Sequence, residues 1–190
     1  MGKRRTWKQY RTIDLVLIAL MLAVFEYLII TAASFWFPDQ LYTASLAAAV
    51  TTIVYMRWGV WGAIHAAEAG VVFCMFAGGT PEQYLIYGAG NLLSLLALIP
   101  LEKLGKERVR TGRLGLLLPL LVQLLMHAGR VLVSLVLGAV PGLWEAMNFF
   151  TMDSLSYIFT FVIIWIARKL DGVYEDQKHY LLRINSAEEE

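Results

Sequence analysis

Thr12–Phe35 reads TIDLVLIALMLAVFEYLIITAASF, and only Asp14 and Glu26 in it carry charge. At 1.5 Å rise per residue, about 20 residues cross the ~30 Å hydrocarbon core of a bilayer. A helix of a soluble domain would turn a polar stripe to water, and no such stripe runs through this segment. The segment predicts a transmembrane helix. Met1 to Arg11 ahead of it is basic, as in a secretory leader. The apolar run to Ser34 is longer than the ~7–15 residues of a leader core, so it reads as a retained first helix.

Working outward, five more runs share this character: roughly Leu41–Met56, Val60–Ala77, Gln83–Leu101, Leu114–Leu137 and Phe150–Ile166. They are continuous rather than alternating, which predicts helices and not a barrel. Turn chemistry separates them: Phe37-Pro38-Asp39, Arg57-Trp58-Gly59, Gly78-Gly79-Thr80-Pro81, the charged stretch Glu102–Arg113, and Gly138 to Gly142. The second run is short and leaves open whether it crosses fully. Mean hydropathy of +0.60 and a charged fraction of 16% fit an integral membrane protein. The single cysteine, Cys74, lies in an apolar run and reads as packing.

Of the sixteen Lys and Arg residues, only Arg130 lies within a run. With the N-terminus inside, the other fifteen all fall on inner segments: Lys3 to Arg11, Arg57, Lys103 to Arg113, and Arg168 to Arg183. The positive-inside rule then predicts an all-α bundle of six transmembrane helices, with both termini cytoplasmic. Residues 1–170 form one bundle in this reading. Residues 171–190 form a polar cytoplasmic tail, a short extension of the sixth helix that frays. Small residues recur at four-residue spacing, as in Ala19 and Ala23 or Gly62, Ala66 and Gly70, and allow close helix approach.

A charge at the bilayer centre costs about 2.5–3.5 kcal/mol on insertion scales, so each polar group within a run needs a reason. Those groups are Glu26, His65, Glu68, Asn91, Gln123, His127, Arg130 and Asp153. In the predicted topology they occupy the midplane and outer half, leaving the inner half apolar. Gln123, His127 and Arg130 stand at i, i+4 and i+7, and His65 and Glu68 at i, i+3. A cavity between these two faces would open outward and bind solute. The plainer alternative is an internal salt bridge from Arg130 to Glu68 or Asp153. The histidines lack metal-site spacing. No phosphate loop, nucleophile elbow or metalloprotease motif is present, so no enzyme, cofactor or metal is expected, nor any nucleic-acid partner. Aromatics at Phe35, Trp36, Phe37, Trp144, Phe149 and Phe150 read as an interfacial belt or as a lid over that cavity.

The length, the helix count, Arg57-Trp58-Gly59-Val60-Trp61-Gly62-Ala63 with Gly70 and Gly78-Gly79, and the Ala19-Leu-Met-Leu-Ala23 motif together resemble the substrate-binding S components of energy-coupling factor (ECF) transporters. The resemblance spans the chain, as pattern more than strict motif. It implies a multi-pass protein of a prokaryotic cell membrane that captures a ring-containing vitamin or precursor from outside. A transmembrane scaffold (T) protein with two ATPase subunits would supply energy, docking at Ala19 and Ala23. Trp36, Trp144 and His127 sit in segments comparable to ligand-contacting ones in thiamine-binding members. The fourth run offers Tyr84, Tyr87 and Asn91 in place of the Glu-Tyr pair of those members. The implied substrate-binding set is Trp36, His65, Glu68, Tyr87, Asn91, His127, Arg130, Trp144, Asn148 and Asp153. Glu68 and Arg130 together imply a zwitterionic or mixed solute. The competing expectation is a non-transport scaffold protein of a cell-envelope complex.

Overall fold

The computed structural model describes residues 6–36, 44–139, 142, 144 and 147–187. Among the described residues ten α-helices follow in order: α1 (Trp7–Trp36), α2 (Ala47–Trp58), α3 (Gly62–Ala77), α4 (Pro81–Asn91), α5 (Leu98–Leu104), α6 (Lys106–Thr111), α7 (Leu118–Val136), α8 (Asn148–Met152), α9 (Ser154–Ala167) and α10 (Gln177–Ala187). No strand occurs among the described residues, so the all-helical expectation holds. Among the described residues four helical segments are long and apolar enough to cross a membrane: Trp7–Trp36, Ala47–Ala77, Pro81–Leu104 and Leu118–Val136, with Ser154–Ala167 shorter.

α1 buries only Leu22 and Glu26, while Val16, Leu17, Leu20, Met21, Val24 and Phe25 are exposed. An apolar surface of that extent is costly in water and costs nothing against lipid tails. α2 is the reverse case. Ala47, Ala48, Ala49, Thr51, Thr52, Val54, Tyr55 and Met56 are buried, so it runs inside the bundle.

Ala47–Ala77 is not one rod. A Cβ placed at Gly62 would lie 3.1 Å from the Tyr55 backbone nitrogen. In a continuous helix seven residues span about 10 Å. The chain therefore folds back at Gly59, whose φ of +60° suits glycine. α2 and α3 form a hairpin, with Gly62 making room for the Tyr55 ring.

α2 also runs antiparallel to α1, and two contacts fix its ends. Ser45 hydroxyl and Leu46 N–H donate to one Glu26 carboxylate oxygen at 2.6 and 2.7 Å. Twelve residues on from Ser45 and twelve back from Glu26, Arg57 grips Asp14 with Nε–Oδ2 at 2.9 Å and Nη2–Oδ1 at 2.6 Å. The 12 helical residues of α2 span about 18 Å, well short of a ~30 Å core. Residues 41–43 of the second run lie outside the described residues.

Glu26 thus faces the bundle, and its carboxylate caps the start of a helix that begins inside it. Glu26→Leu is expected to destabilise the protein by about 1–3 kcal/mol, because two buried donors lose their acceptor. Glu26→Gln keeps an acceptor oxygen and is expected to be near neutral. Thermal unfolding of the purified variants measures both; equal midpoints for the two would remove the capping role.

The opposite end of α2 lies at the basic end of the bundle. Arg57 also donates to the Gly172 carbonyl, and the Trp58 indole donates to Asp14. The last residues do not simply continue the sixth run as a fraying extension. α9 ends at Ala167, the chain turns at Gly172 (φ +69°), and Tyr174 is buried. Lys106 pairs with Asp176 at 2.5 Å, and Arg110 and Arg183 approach Glu175 at 3.5 and 3.2 Å. Burial pushes the Asp176 carboxyl up, but the hydrogen bond and charge of Lys106 outweigh it and hold the group below its ordinary value. The segment from Gly172 to Gln177 is therefore docked against the bundle, with Tyr174, Glu175 and Gln177 buried, because reversing at Gly172 lets Glu175 and Asp176 meet its cationic rim.

Candidate functional site

Two close helix crossings assemble the far half of the bundle. A Cβ at Gly129 would sit 1.9 Å from the Gly90 carbonyl oxygen, and one at Gly70 would sit 2.4 Å from the Tyr87 oxygen. Backbone contact between α4 and α7, and between α3 and α4, is thus possible only with glycine at these positions. It brings Asn91 between α3 and α7. The Asn91 amide donates to the Ala66 carbonyl at 2.9 Å, and its oxygen accepts from Arg130 Nε at 2.9 Å. Fixing the amide nitrogen on Ala66 turns the oxygen to the arginine.

Arg130 is 5% exposed, in a cluster of matched polarity. Its Nη1 donates to Asp153 Oδ2 at 3.2 Å, and the guanidinium lies 4.5 Å from the Tyr87 ring centre. The internal partner is thus Asp153, one of the two foreseen. Arg130 Nη1 is also 3.5 Å from His127 Nδ1, the outer limit of a hydrogen bond. Arginine only donates, so Nδ1 is the acceptor and the network assigns the ring proton to Nε2. That Nε2 is 3.7 Å from Asp153 Oδ2, too far for a direct bond.

The cluster continues sideways. Asp153 Oδ1 accepts from Ser156 Oγ, and Ser156 Oγ accepts from Ser45 N–H at 2.8 Å. Ser45 in turn reaches Glu26. One chain of polar contacts therefore links α3, α4, α7, α9, the start of α2 and α1. Aromatic rings wall it. Tyr87 stacks on Phe73 at 5.1 Å and meets Phe149 edge-on at 5.8 Å. His127 lies 5.2 Å from Phe150 and 5.6 Å from Tyr157.

Several fully buried polar atoms have no hydrogen-bond partner among the described residues. They include His127 Nε2, Gln123 Oε1, Thr51 Oγ1 and Thr160 Oγ1. They belong to α2, α7 and α9, which pack on one another. Buried groups of this kind cost free energy unless something hydrogen-bonds them. The cluster thus gathers a cation, an anion, an imidazole, an amide and aromatic faces, and Asn91, His127, Arg130 and Asp153 in it are all buried.

Of the residues expected from sequence, the fold gathers Tyr87, Asn91, His127, Arg130 and Asp153. It does not bring His65 to them. His65 Nε2 is 3.0 Å from the Leu15 carbonyl of α1, on another side of α3 from Ala66. Glu68 is half-buried, with Oε2 unpartnered. Trp36 and Trp144 are 71% and 86% exposed, and Asn148 opens α8 exposed. Phe37, part of the expected lid, lies outside the described residues. Ala19 and Ala23 are half-buried on α1. Sequence reading missed Ser45, Phe73, Ser156 and Tyr157. The pattern Asp153, Ser156, Tyr157, Thr160, at i, i+3, i+4 and i+7, was the available signal for two of them.

No family model, curated protein or solved structure matches the chain.

Proposed function

We propose that the chain is a solute-binding membrane protein of the energy-coupling factor S-component type, taking a ring-containing vitamin or precursor from outside a prokaryotic cell. The observation that carries this reading is the aromatic-walled Arg130–Asp153–His127–Asn91 cluster, with unpartnered buried polar atoms beside it. Arg130 and Asp153 supply opposite charges, Asn91 and His127 supply directional polar contacts, and Tyr87 and Phe150 supply faces for a ring.

In this reading six helices cross the membrane, with both termini cytoplasmic. Arg57, Lys106 and Arg110 all reach the segment after α9, and Arg168 at the end of α9 reaches the turn after α6, which supports one common side for them. The shortness of α2 is accommodated because it is shielded by the bundle rather than by lipid. Ala19 and Ala23 are assigned to docking on a scaffold protein with two ATPase subunits, supported by the wide exposed apolar face of α1 beside them.

The test is calorimetry or native mass spectrometry of the purified chain against a vitamin panel, without ATP. Tight binding of one class is expected, lost in Arg130→Gln. No ligand from any class would sink the proposal. A second reading has its own support. Arg130 and Asp153 already pair with each other, as expected of a non-transport envelope scaffold that merely neutralises buried charge. In that case substituting both together would leave function intact.

A further inference from the structure

The outer surface of α9 is apolar along its length. Ile158, Phe161, Val162, Trp165 and Ile166 are all exposed, and the surface turns basic at once with Arg168 and Lys169. An abrupt change of this kind, with a tryptophan at the boundary, marks the level where hydrocarbon gives way to headgroups. At that level the structure has a cavity of about 410 Å³ lined by Arg110, Thr111, Trp165, Arg168 and Lys169.

The charges around this cavity are unequal in their commitments. Arg110 is already bound by Glu107 at 2.8 Å and approached by Glu175 at 3.5 Å. Arg168 is held rather than neutralised. Its Nε and Nη2 donate to the Arg110 and Gly112 carbonyls at 2.8 and 2.7 Å, so two peptide dipoles fix the guanidinium plane. Lys169 Nζ sits 3.6 Å from the centre of the Trp165 ring. Among the described residues, neither Arg168 nor Lys169 pairs with a carboxylate. Two uncompensated cations thus line one cavity, one of them pre-oriented and the other parked on an aromatic face.

We propose that this cavity binds the phosphate of an anionic glycerophospholipid. With Nε and one Nη2 proton held by carbonyls, Arg168 offers Nη1 and the remaining Nη2 proton to phosphate oxygens, and Lys169 a mobile second charge; the Thr111 hydroxyl on the cavity wall already donates to the Glu107 carbonyl at 3.0 Å. Trp165, half exposed at the edge of the apolar surface, packs on the glycerol and the first acyl carbons. That apolar side is the reason a lipid is preferred to a free anion: the cavity opens beside a surface only acyl chains cover. The inference rests on the membrane reading of this end of the bundle, and not on the solute site at the far end. The lipid would tie the turn after α6 to the end of α9, the two segments Arg168 already joins.

The full chain would be reconstituted in nanodiscs of phosphatidylcholine with a minor share of phosphatidylglycerol, then extracted and examined by native mass spectrometry. Preferential retention of phosphatidylglycerol is expected, reduced about fivefold by Lys169→Gln and kept by Lys169→Arg. Among the described residues the Lys169 ammonium bonds no backbone group, so Lys169→Gln leaves the fold in place, checked by its thermal midpoint. Equal retention of both lipids, or no effect of Lys169→Gln, overturns the proposal. So does retention that inorganic phosphate or glycerol phosphate displaces at the lipid's own concentration, which makes the site one for free phosphate. Vitamin binding by Lys169→Gln, measured in parallel, is expected unchanged, so failure here and failure of the solute-binding reading remain distinguishable.

Discussion

Arg130→Gln is expected to abolish solute binding and lower stability by about 3–5 kcal/mol, the usual consequence of removing one partner of a buried ion pair. Asp153 would keep its Ser156 contact but lose the Arg130 guanidinium, at a position 5% exposed. Asn91 would also lose the Nε donor to its oxygen. The double variant Arg130→Gln/Asp153→Asn removes both charges and is expected to recover most of the lost stability without recovering binding. Thermal unfolding in detergent reads the first quantity and calorimetry the second. A double variant that still binds solute with full affinity would remove the cluster from the site. A single variant of wild-type stability would show that the pair is water-exposed rather than buried.

Gly129→Ala is also expected to destabilise strongly, by a different route. The added methyl would lie 1.9 Å from the Gly90 carbonyl oxygen, which is backbone and cannot rotate away. Overpacking a core ordinarily costs about 1–3 kcal/mol, and here α4 and α7 must separate along their whole contact. Separation breaks the Arg130–Asn91 bond, so binding is expected to fall with stability. Gly88→Ala, on the partner helix α4, is the control. Its new methyl would meet Val71 Cγ2 at 3.5 Å, an ordinary contact, and stability is expected to stay within about 0.5 kcal/mol. Size-exclusion profiles and thermal midpoints of the two variants compare them directly. Equal behaviour would mean that the Gly90–Gly129 crossing is looser than described.

Some of this was legible without tertiary structure. The turn at Gly78-Gly79-Thr80-Pro81 became the capping box of α4, in which Thr80 and Gln83 bond each other's backbone N–H. Asn91, His127, Arg130 and Asp153 stood out because a polar group in an apolar run demands a partner. Periodicity placed His127 and Arg130 on one face of α7. It could not say which neighbour that face meets, since the rotation of a helix about its axis is set by packing. His65 was therefore grouped with Arg130, although it turns toward α1. Glu26 stood out as a charge in an apolar run, but that Ser45 and Leu46 share its oxygen depends on how α1 and the start of α2 pack.

The tail shows the same boundary. Its polarity was plain from Asp171 onward, and polarity alone suggested a fraying extension. Its docking depends on Glu175 and Asp176 meeting Arg110 and Lys106, residues about 65–70 positions earlier. By itself the sequence determined the helical class, the apolar segments and the identity of the buried polar residues, because these follow from local hydrophobicity and helical period. Only the tertiary structure decided the fold-back at Gly59, the partner of Arg130 and the capping role of Glu26. Those depend on which helices touch, and glycine at Gly90, Gly70 and Gly129 decides how closely.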